Sequence, residues 1–77
     1  MYMDRQNRRY IRRMHRDMIR DTHPAARFVP WPALRREAPR VHDEMREWLS
    51  AQGFPECFAL VYQAEPGEPY ALSVAPV

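Results

Sequence analysis

Apolar and arginine side chains recur at helical spacing over the first twenty-odd residues. At about 100° per residue, one side carries the apolar residues Met3, Tyr10, Ile11, Met14 and Met18. The opposite side carries seven arginines, Arg5, Arg8, Arg9, Arg12, Arg13, Arg16 and Arg20. The pattern predicts an amphipathic helix over residues 3–22, with its apolar side inward and its arginines exposed. His15 falls within the arginine stripe of this helix.

Both ends of this first helix carry local signals. Asp4 can cap the amino terminus with its carboxylate. The helix is expected to end before Pro24, because the residue preceding a proline is pushed out of the helical region. Asp17 and Asp21 lie at helical spacing from several arginines, and we expect them to form ion pairs there.

Prolines interrupt residues 24–38, which are therefore predicted as a connection between two helices. Within it, residues 27–31 suit a short extended piece. Pro32 suits the first position of a short helical turn that ends near Ala38. Trp31 is expected to fold over the core as an aromatic lid.

A second helix is predicted over residues 39–52, with Gly53 as its carboxyl-terminal cap. Its expected buried face repeats at i, i+4, i+7 and i+8 and contains Val41, Met45, Trp48 and Leu49. Its exposed side is expected to be acidic and contains Asp43, Glu44 and Glu47.

Two alternating segments predict a β-hairpin over residues 57–75, joined by a type II turn at Pro66 and Gly67. We expect its larger side chains to pack on the second helix: Phe58, Leu60, Tyr62, Tyr70, Leu72 and Val74. The predicted fold is one small α+β domain over residues 1–77, in the order α-α-β-β. A two-stranded sheet is marginal alone, so the first helix, a second subunit or a partner is expected to cover the remaining face.

The charge of the chain is small overall but unevenly distributed. The net charge is +2 over 77 residues. Eight arginines and three aspartates precede Phe28, a net of +5, whereas four arginines and seven carboxylates follow, a net of −3. Such asymmetry points to a nucleic acid or an acidic protein as partner, unless the two halves neutralise each other. All twelve basic residues are arginine, which favours a GC-rich bacterial or phage source.

Other features bear on the compartment of the protein. Cys57 is the single cysteine, which predicts a reducing cytoplasm and no internal disulfide. No apolar run is long enough to span a bilayer, and arginines interrupt any signal-peptide core.

No pattern in the chain predicts catalysis, a metal site or a cofactor. The three histidines lack metal-ligand spacing, and both glycines are used by a helix cap and a turn rather than by a phosphate loop. His42 and Asp43 are adjacent on a helix and are expected to point apart. Cys57 lies among small apolar neighbours and is expected to be packed.

The sequence therefore predicts a small non-enzymatic interaction protein, encoded by a phage or mobile element. It would bind and modulate a larger bacterial host protein that has an acidic surface. The first expected contact is the basic helix face, Arg5, Arg9, Arg12, Arg13, Arg16 and Arg20. The second is the hairpin edge at Tyr70, Leu72 and Val74. Nucleic-acid binding through the same arginines is the alternative, a membrane surface ranks third, and a homodimer that completes the sheet stays open.

Overall fold

The computed structural model describes residues 5–75, with side chains from residue 8 onward. Three helices and three strands follow in the order α1 (Arg5–Thr22), β1 (Arg27–Phe28), α2 (Trp31–Glu37), α3 (Pro39–Gln52), β2 (Ala59–Gln63) and β3 (Ala71–Val74). One turn of 3₁₀-helix (Glu56–Phe58) precedes β2. The α+β class is confirmed, and no helix within the described range is long and apolar enough to cross a membrane.

Local end signals fix the helix boundaries. Helix α3 is the second helix predicted from the sequence, and its bounds at residues 39–52 are confirmed. Gly53 ends it in the left-handed conformation (φ 71°), which costs glycine nothing because it has no Cβ. The end of α1 at Thr22 is also confirmed. The predicted cap at Asp4 lies outside the described residues.

The proline-rich connection contains a strand and a helix, so the predicted α-α-β-β order is incomplete. Strand β1 pairs antiparallel with β2, and α2 follows it directly. Beyond the strand, the N–H of Val29 donates to the carbonyl of Val61 (2.8 Å). Pro30 follows in an extended conformation (φ −61°, ψ 148°) as the N-cap of α2, so the chain leaves the sheet there. The short extended piece expected over residues 27–31 contains β1, and the helical turn expected to end near Ala38 is α2. Two residues are too few to show strand alternation, so the pairing of β1 with β2 was not predicted.

The sheet has the strand order β1-β2-β3, with all neighbours antiparallel. In the β2–β3 register, Val61 pairs with Leu72 and Leu60 pairs with Ser73. Directly paired residues point to the same side, so Leu72 shares a face with Val61 rather than with Leu60. The prediction that the larger hairpin residues all share one face was therefore wrong. The turn itself is confirmed: Gly67 has φ 91°, and the N–H of Glu68 donates to the carbonyl of Glu65 (3.0 Å).

Helices α2 and α3 cover the face of the sheet that contains Val61. The buried centre is formed by Val29, Leu34 and Val61, and Leu34 has no exposed surface. Partly buried residues surround it: Trp31, Ala33, Ala38, Val41, Met45, Tyr70 and Leu72. The expected lid is confirmed in Trp31, whose ring meets His42 edge-on at 5.9 Å between centroids.

Helix α1 covers the other face, with a different side inward from the one predicted. His15 and Ile19 are buried, whereas Tyr10, Met14 and Met18 are exposed. The reason is a distant contact, because Nε2 of His15 is hydrogen-bonded to Oγ of Ser73 (2.8 Å). The hydroxyl of the half-buried Ser73 gives the buried imidazole a polar partner, so His15, rather than the apolar stripe, faces the sheet.

Two further predictions about burial were wrong. Trp48 is exposed at the end of α3 and packs on Phe54, also exposed, with 5.7 Å between ring centroids. Cys57 is exposed, because it lies in the 3₁₀ turn and the strand begins only at Ala59.

Candidate basic binding surface

Helix α1 lies across the sheet with two unlike flanks. On the flank toward β1, Arg12 and Arg16 border a groove whose other side is formed by β1 and the start of α2. On the flank toward β3, Met14 and Met18 border a second groove. Because His15 faces the sheet, Met14 and Met18 lie on one side of the helix and Arg12 and Arg16 lie on the other. The two members of each pair share a side because they are one helical turn apart. Cationic and apolar side chains are thereby separated toward opposite edges of the sheet.

The basic surface consists of five exposed arginines of α1: Arg9, Arg12, Arg13, Arg16 and Arg20. Among the residues that the structure describes, ion pairs join Arg27 to Glu37 and Arg46 to Glu56, and none involves the basic surface. The predicted pairing of Asp17 and Asp21 with α1 arginines is not observed within 4.0 Å. Asp17 borders the same depression as four of these arginines but lies beyond ion-pair distance, so the basic surface faces solvent. Arg5 belongs to α1, but its side chain lies outside the described part.

Phe28 supports two guanidinium groups of this surface. The Cζ atoms of Arg16 and Arg20 lie 5.2 and 5.1 Å from the centre of its ring. These are cation–π distances, and such contacts stabilise by about 0.5–1 kcal/mol at exposed sites. A stacked guanidinium uses its flat face and keeps its N–H donors for other groups. Phe28 thus restrains two long side chains while leaving them able to bind an acceptor.

The groove beside β1 has a volume of about 140 Å³. Arg12 and Arg16 form its cationic side, and Phe28, Pro30 and Trp31 form its aromatic and apolar side. A space of this size is close to one that accommodates benzene, so it suits one side chain rather than an extended ligand. A carboxylate-bearing side chain would find guanidinium donors on one wall and apolar contacts on the other.

The acidic residues of α3 do not neutralise this surface. Asp43, Glu44 and Glu47 are exposed on a helix that lies on the opposite face of the sheet. Asp43 has a different contact, because Nδ1 of His42 donates a hydrogen bond to its carboxylate (3.0 Å). The expectation that these adjacent residues point apart was wrong, since the buried ring and the exposed carboxylate still meet. The arginines of α1 and the carboxylates of α3, which are separated along the sequence, therefore also lie on opposite faces of the sheet.

The predicted binding residues of the hairpin edge direct their side chains mainly toward the core. Tyr70 and Leu72 pack against the buried centre of the α2–α3 face, and Val74 is half-buried. The hydroxyl of Tyr70 donates to Oε1 of Glu37 (2.8 Å). The role of these three residues in binding stays a prediction, and two of them serve the core.

A polar network fixes this end of the core. Glu37 accepts from Arg27 as well as from Tyr70, and Nε of Arg27 also donates to the side-chain oxygen of Gln63 (2.8 Å). The hydrogen bond from Arg27, followed by the one from Tyr70, lowers the pKa of the Glu37 carboxyl. The bond to Glu37 in turn raises the pKa of the Tyr70 hydroxyl. Arg27, unlike the α1 arginines, is thus occupied within the fold.

His15 joins α1 to the sheet and has one unsatisfied atom. Its Nδ1 is buried and has no hydrogen-bond partner among the described residues. Burial lowers the pKa of its imidazole, because the charged form loses hydration. The neutral ring is therefore the form that suits the α1–sheet contact.

Sequence reasoning identified the arginines but missed the aromatic groups beside them. Phe28 and Trp31 complete the groove, and neither was assigned to a binding site. A usable signal was present, since Arg12, Arg16 and Arg20 repeat every fourth residue on one flank of α1. A row of arginines on one flank suggests a contact with aromatic side chains, and Phe28 and Trp31 follow α1 closely in the sequence.

Comparison with models of known families, with curated proteins and with solved structures finds no match to this chain. Within residues 5–75, no group of three or more histidine, cysteine or acidic side chains could hold a metal ion. The expected absence of catalysis and of cofactors stays a prediction.

Proposed function

We propose that this chain is a small non-enzymatic binding protein that attaches to an acidic surface of a larger protein. The basic surface forms the contact, and the groove beside β1 receives one carboxylate side chain of the partner. The observation that carries the proposal is the set of five exposed guanidinium groups with no carboxylate within 4.0 Å among the described residues. A helix face this rich in arginine gives up much of the support that evenly mixed charges would add to a solvated helix. A partner with acidic residues supplies that support.

Several physical properties favour arginine for this task. Arginine is enriched among the residues that dominate interface energies, and it binds carboxylates with two parallel hydrogen bonds. Arg16 and Arg20 already rest on Phe28, so less side-chain entropy is lost when they bind. In this proposal the chain acts without catalysis, and its effect comes from covering a surface of the partner. We propose inhibition of a bacterial host protein, by a chain of phage or mobile-element origin.

Charge reversal tests the proposal with a matched control. The variant Arg9→Glu/Arg13→Glu/Arg16→Glu reverses three exposed charges of the basic surface. The control Arg35→Glu/Arg36→Glu/Arg40→Glu reverses three exposed charges on α2 and α3, so both variants have the same net charge. Proteins captured from a nuclease-treated bacterial lysate are identified, purified and titrated against all three forms. We expect the α1 variant to bind at least about a hundredfold more weakly, with unchanged circular dichroism.

The control variant is expected to bind as the wild type does and to lower the activity of the captured protein to the same extent. Equal weakening by both variants would mean that net charge, rather than the basic surface, governs binding. Undiminished binding by the α1 variant would remove α1 from the contact.

Nucleic-acid binding is the second candidate, and one observation favours it. The ring of Tyr10 is exposed between Arg9 and Arg13, and these three residues border a shallow depression. An aromatic ring beside two cations suits a stacked base and its phosphates. Titration with random-sequence single-stranded RNA and DNA at several salt concentrations separates the two candidates. A steep loss of affinity with salt, together with weaker binding by Tyr10→Ala, would favour nucleic acid over protein.

A further inference from the structure

Strand β3 is an open edge of the sheet. Within residues 5–75 it pairs only with β2. The N–H of Ala75, next after the strand, donates to the carbonyl of Phe58 (2.9 Å). Hydrogen-bonded positions alternate along an antiparallel pair, so Ser73 also bonds inward, and the N–H and C=O groups of Leu72 and Val74 point outward. Such an edge can accept another strand.

An apolar strip on α1 runs beside this edge. It consists of Tyr10, Met14 and Met18, which are 65%, 46% and 61% exposed and recur every fourth residue. Met14 and Met18 border a groove of about 320 Å³ whose other side is Ser73 and Val74. The open edge and the apolar strip are therefore parts of one surface. Exposed methionines beside an unpaired strand are costly in water unless something covers them.

We propose that a second copy of this chain covers the surface. A two-fold axis perpendicular to the sheet at Ser73 places Leu72 of each copy opposite Val74 of the other. Both residues direct their backbone donors and acceptors outward, so the strands pair with full hydrogen bonding and form one six-stranded sheet. Ser73 is therefore the central position of the interface.

The same axis brings the two α1 helices together. His15, near the middle of α1, is bonded to Ser73, so the axis passes α1 near its midpoint. The helices then run antiparallel, with Met14 against its own copy and Met18 toward Tyr10 of the other chain. One symmetry operation thus covers both the strand edge and the apolar strip.

The charges of α1 are compatible with this arrangement. Arg12 and Arg16 lie on the flank toward β1, so the methionine flanks meet without opposing arginines. Arg13 and Asp17 lie one turn apart on exposed positions of α1. With Met14 at the axis, Asp17 of each copy lies about 3 Å along the helix from Arg13 of the other, which an arginine side chain can span, so two ion pairs form at the rim. The proposal does not depend on the proposed function, because Arg12 and Arg16 and the groove beside β1 lie on the flank away from the dimer.

Sedimentation equilibrium of the full chain, from micromolar to submillimolar concentration, tests the dimer. We expect a monomer–dimer equilibrium that Met18→Glu weakens by about tenfold or more, because a charge replaces apolar contact. The matched control is Trp48→Glu, which places the same charge at another exposed apolar residue, on α3. It should leave the equilibrium unchanged. A wild-type chain that sediments as a monomer throughout, or equal weakening by the two variants, would overturn the proposal.

A cysteine at the axis tests the register. In Ser73→Cys/Cys57→Ser the new thiols face each other at a non-hydrogen-bonded pair, where Cα atoms are about 4.5 Å apart, within disulfide range. We expect rapid disulfide-linked dimers under mild oxidation. The control Ser50→Cys/Cys57→Ser, with an exposed thiol on α3, should stay monomeric on a reducing-agent-free gel.

Equal cross-linking of both cysteine variants would overturn the register and with it the proposed interface. So would the absence of cross-linking in Ser73→Cys/Cys57→Ser while that variant still forms a folded dimer. A monomer whose β3 amides gain protection only when a different protein is added would assign the edge to a foreign strand. That result would likewise overturn the proposal.

Discussion

The two faces of the three-stranded sheet are covered in different ways. Under α2 and α3 the contact is apolar, and Leu34 has no exposed surface. Under α1 the contact combines Ile19 with a histidine–serine hydrogen bond and with arginines stacked on Phe28. Apolar burial contributes more stability than exposed cation–π contacts or a single hydrogen bond. One face therefore secures the fold, whereas the other positions a charged helix.

The largest expected effect lies on the α2–α3 face. Leu34→Ala should lower the free energy of unfolding by about 2–5 kcal/mol, because it leaves a cavity at a fully buried position. A chain of this length has about 4–12 kcal/mol in total, so the variant should lose a large part of its stability. Urea denaturation followed by circular dichroism measures this. A loss below about 1 kcal/mol would mean that the face collapses around the cavity and does not secure the fold.

Ile19→Ala makes the equivalent change on the α1 face. We expect a smaller loss of about 2 kcal/mol, because neighbouring positions on this helix are already exposed. Native-state hydrogen exchange should show faster opening of α1 amides, while β2 amides keep their protection. Uniform loss of protection across both helix layers would contradict the comparison, because it would make α1 part of the same cooperative unit.

His15 makes the stability of the α1 face depend on pH. Burial lowers its pKa in the folded chain below the ordinary value of 6.5, so the unfolded chain binds the proton more readily. The stabilising contribution is complete above pH 6.5 and is lost as the pH falls from there through the lowered pKa. In His15→Gln this loss should disappear. The measurement is the difference in unfolding free energy between wild type and variant from about pH 7.5 to about pH 4.5, and a constant difference would contradict it.

Glu37→Gln should have the smallest effect. The pKa of Glu37 is lowered chiefly by its hydrogen bond from Arg27. Its contribution is therefore present above the ordinary value of 4.5 and is lost as the pH falls through the lowered pKa. Both partners are largely exposed, so solvent screens the pair. Thermal melts at about pH 7 and about pH 3 should differ between wild type and variant only at the higher pH. A difference that persists in acid would indicate a packing role instead.

Sequence reasoning succeeded where the signal is local. The bounds of α3 depend on Pro39 and Gly53, and the turn depends on Pro66 and Gly67, so neighbouring residues determine them. It failed where distant residues decide. The side of α1 that faces inward depends on Ser73, fifty-eight positions away from His15. The hairpin faces depend on the register across a long loop, which alternation alone does not specify.

In the candidate site, too, some residues could be predicted from local spacing and others depend on the fold. The arginines of α1 could be found from helical spacing, and their exposure agrees with that expectation. Phe28 could not be assigned to the site, because it belongs to a two-residue pairing that only the folded sheet brings under Arg16 and Arg20. Partner contact through any of these residues stays a prediction.

The two tryptophans occupy unlike surroundings, and this gives the molecule an intrinsic optical probe. Trp31 borders the groove shared with Arg12 and Arg16, whereas Trp48 is exposed at the far end of α3 beside Phe54. Acrylamide should quench the emission of Trp48 freely and that of Trp31 less. A molecule that fills the groove would shield Trp31 further and leave Trp48 untouched, so occupancy can be followed by fluorescence without attaching a dye.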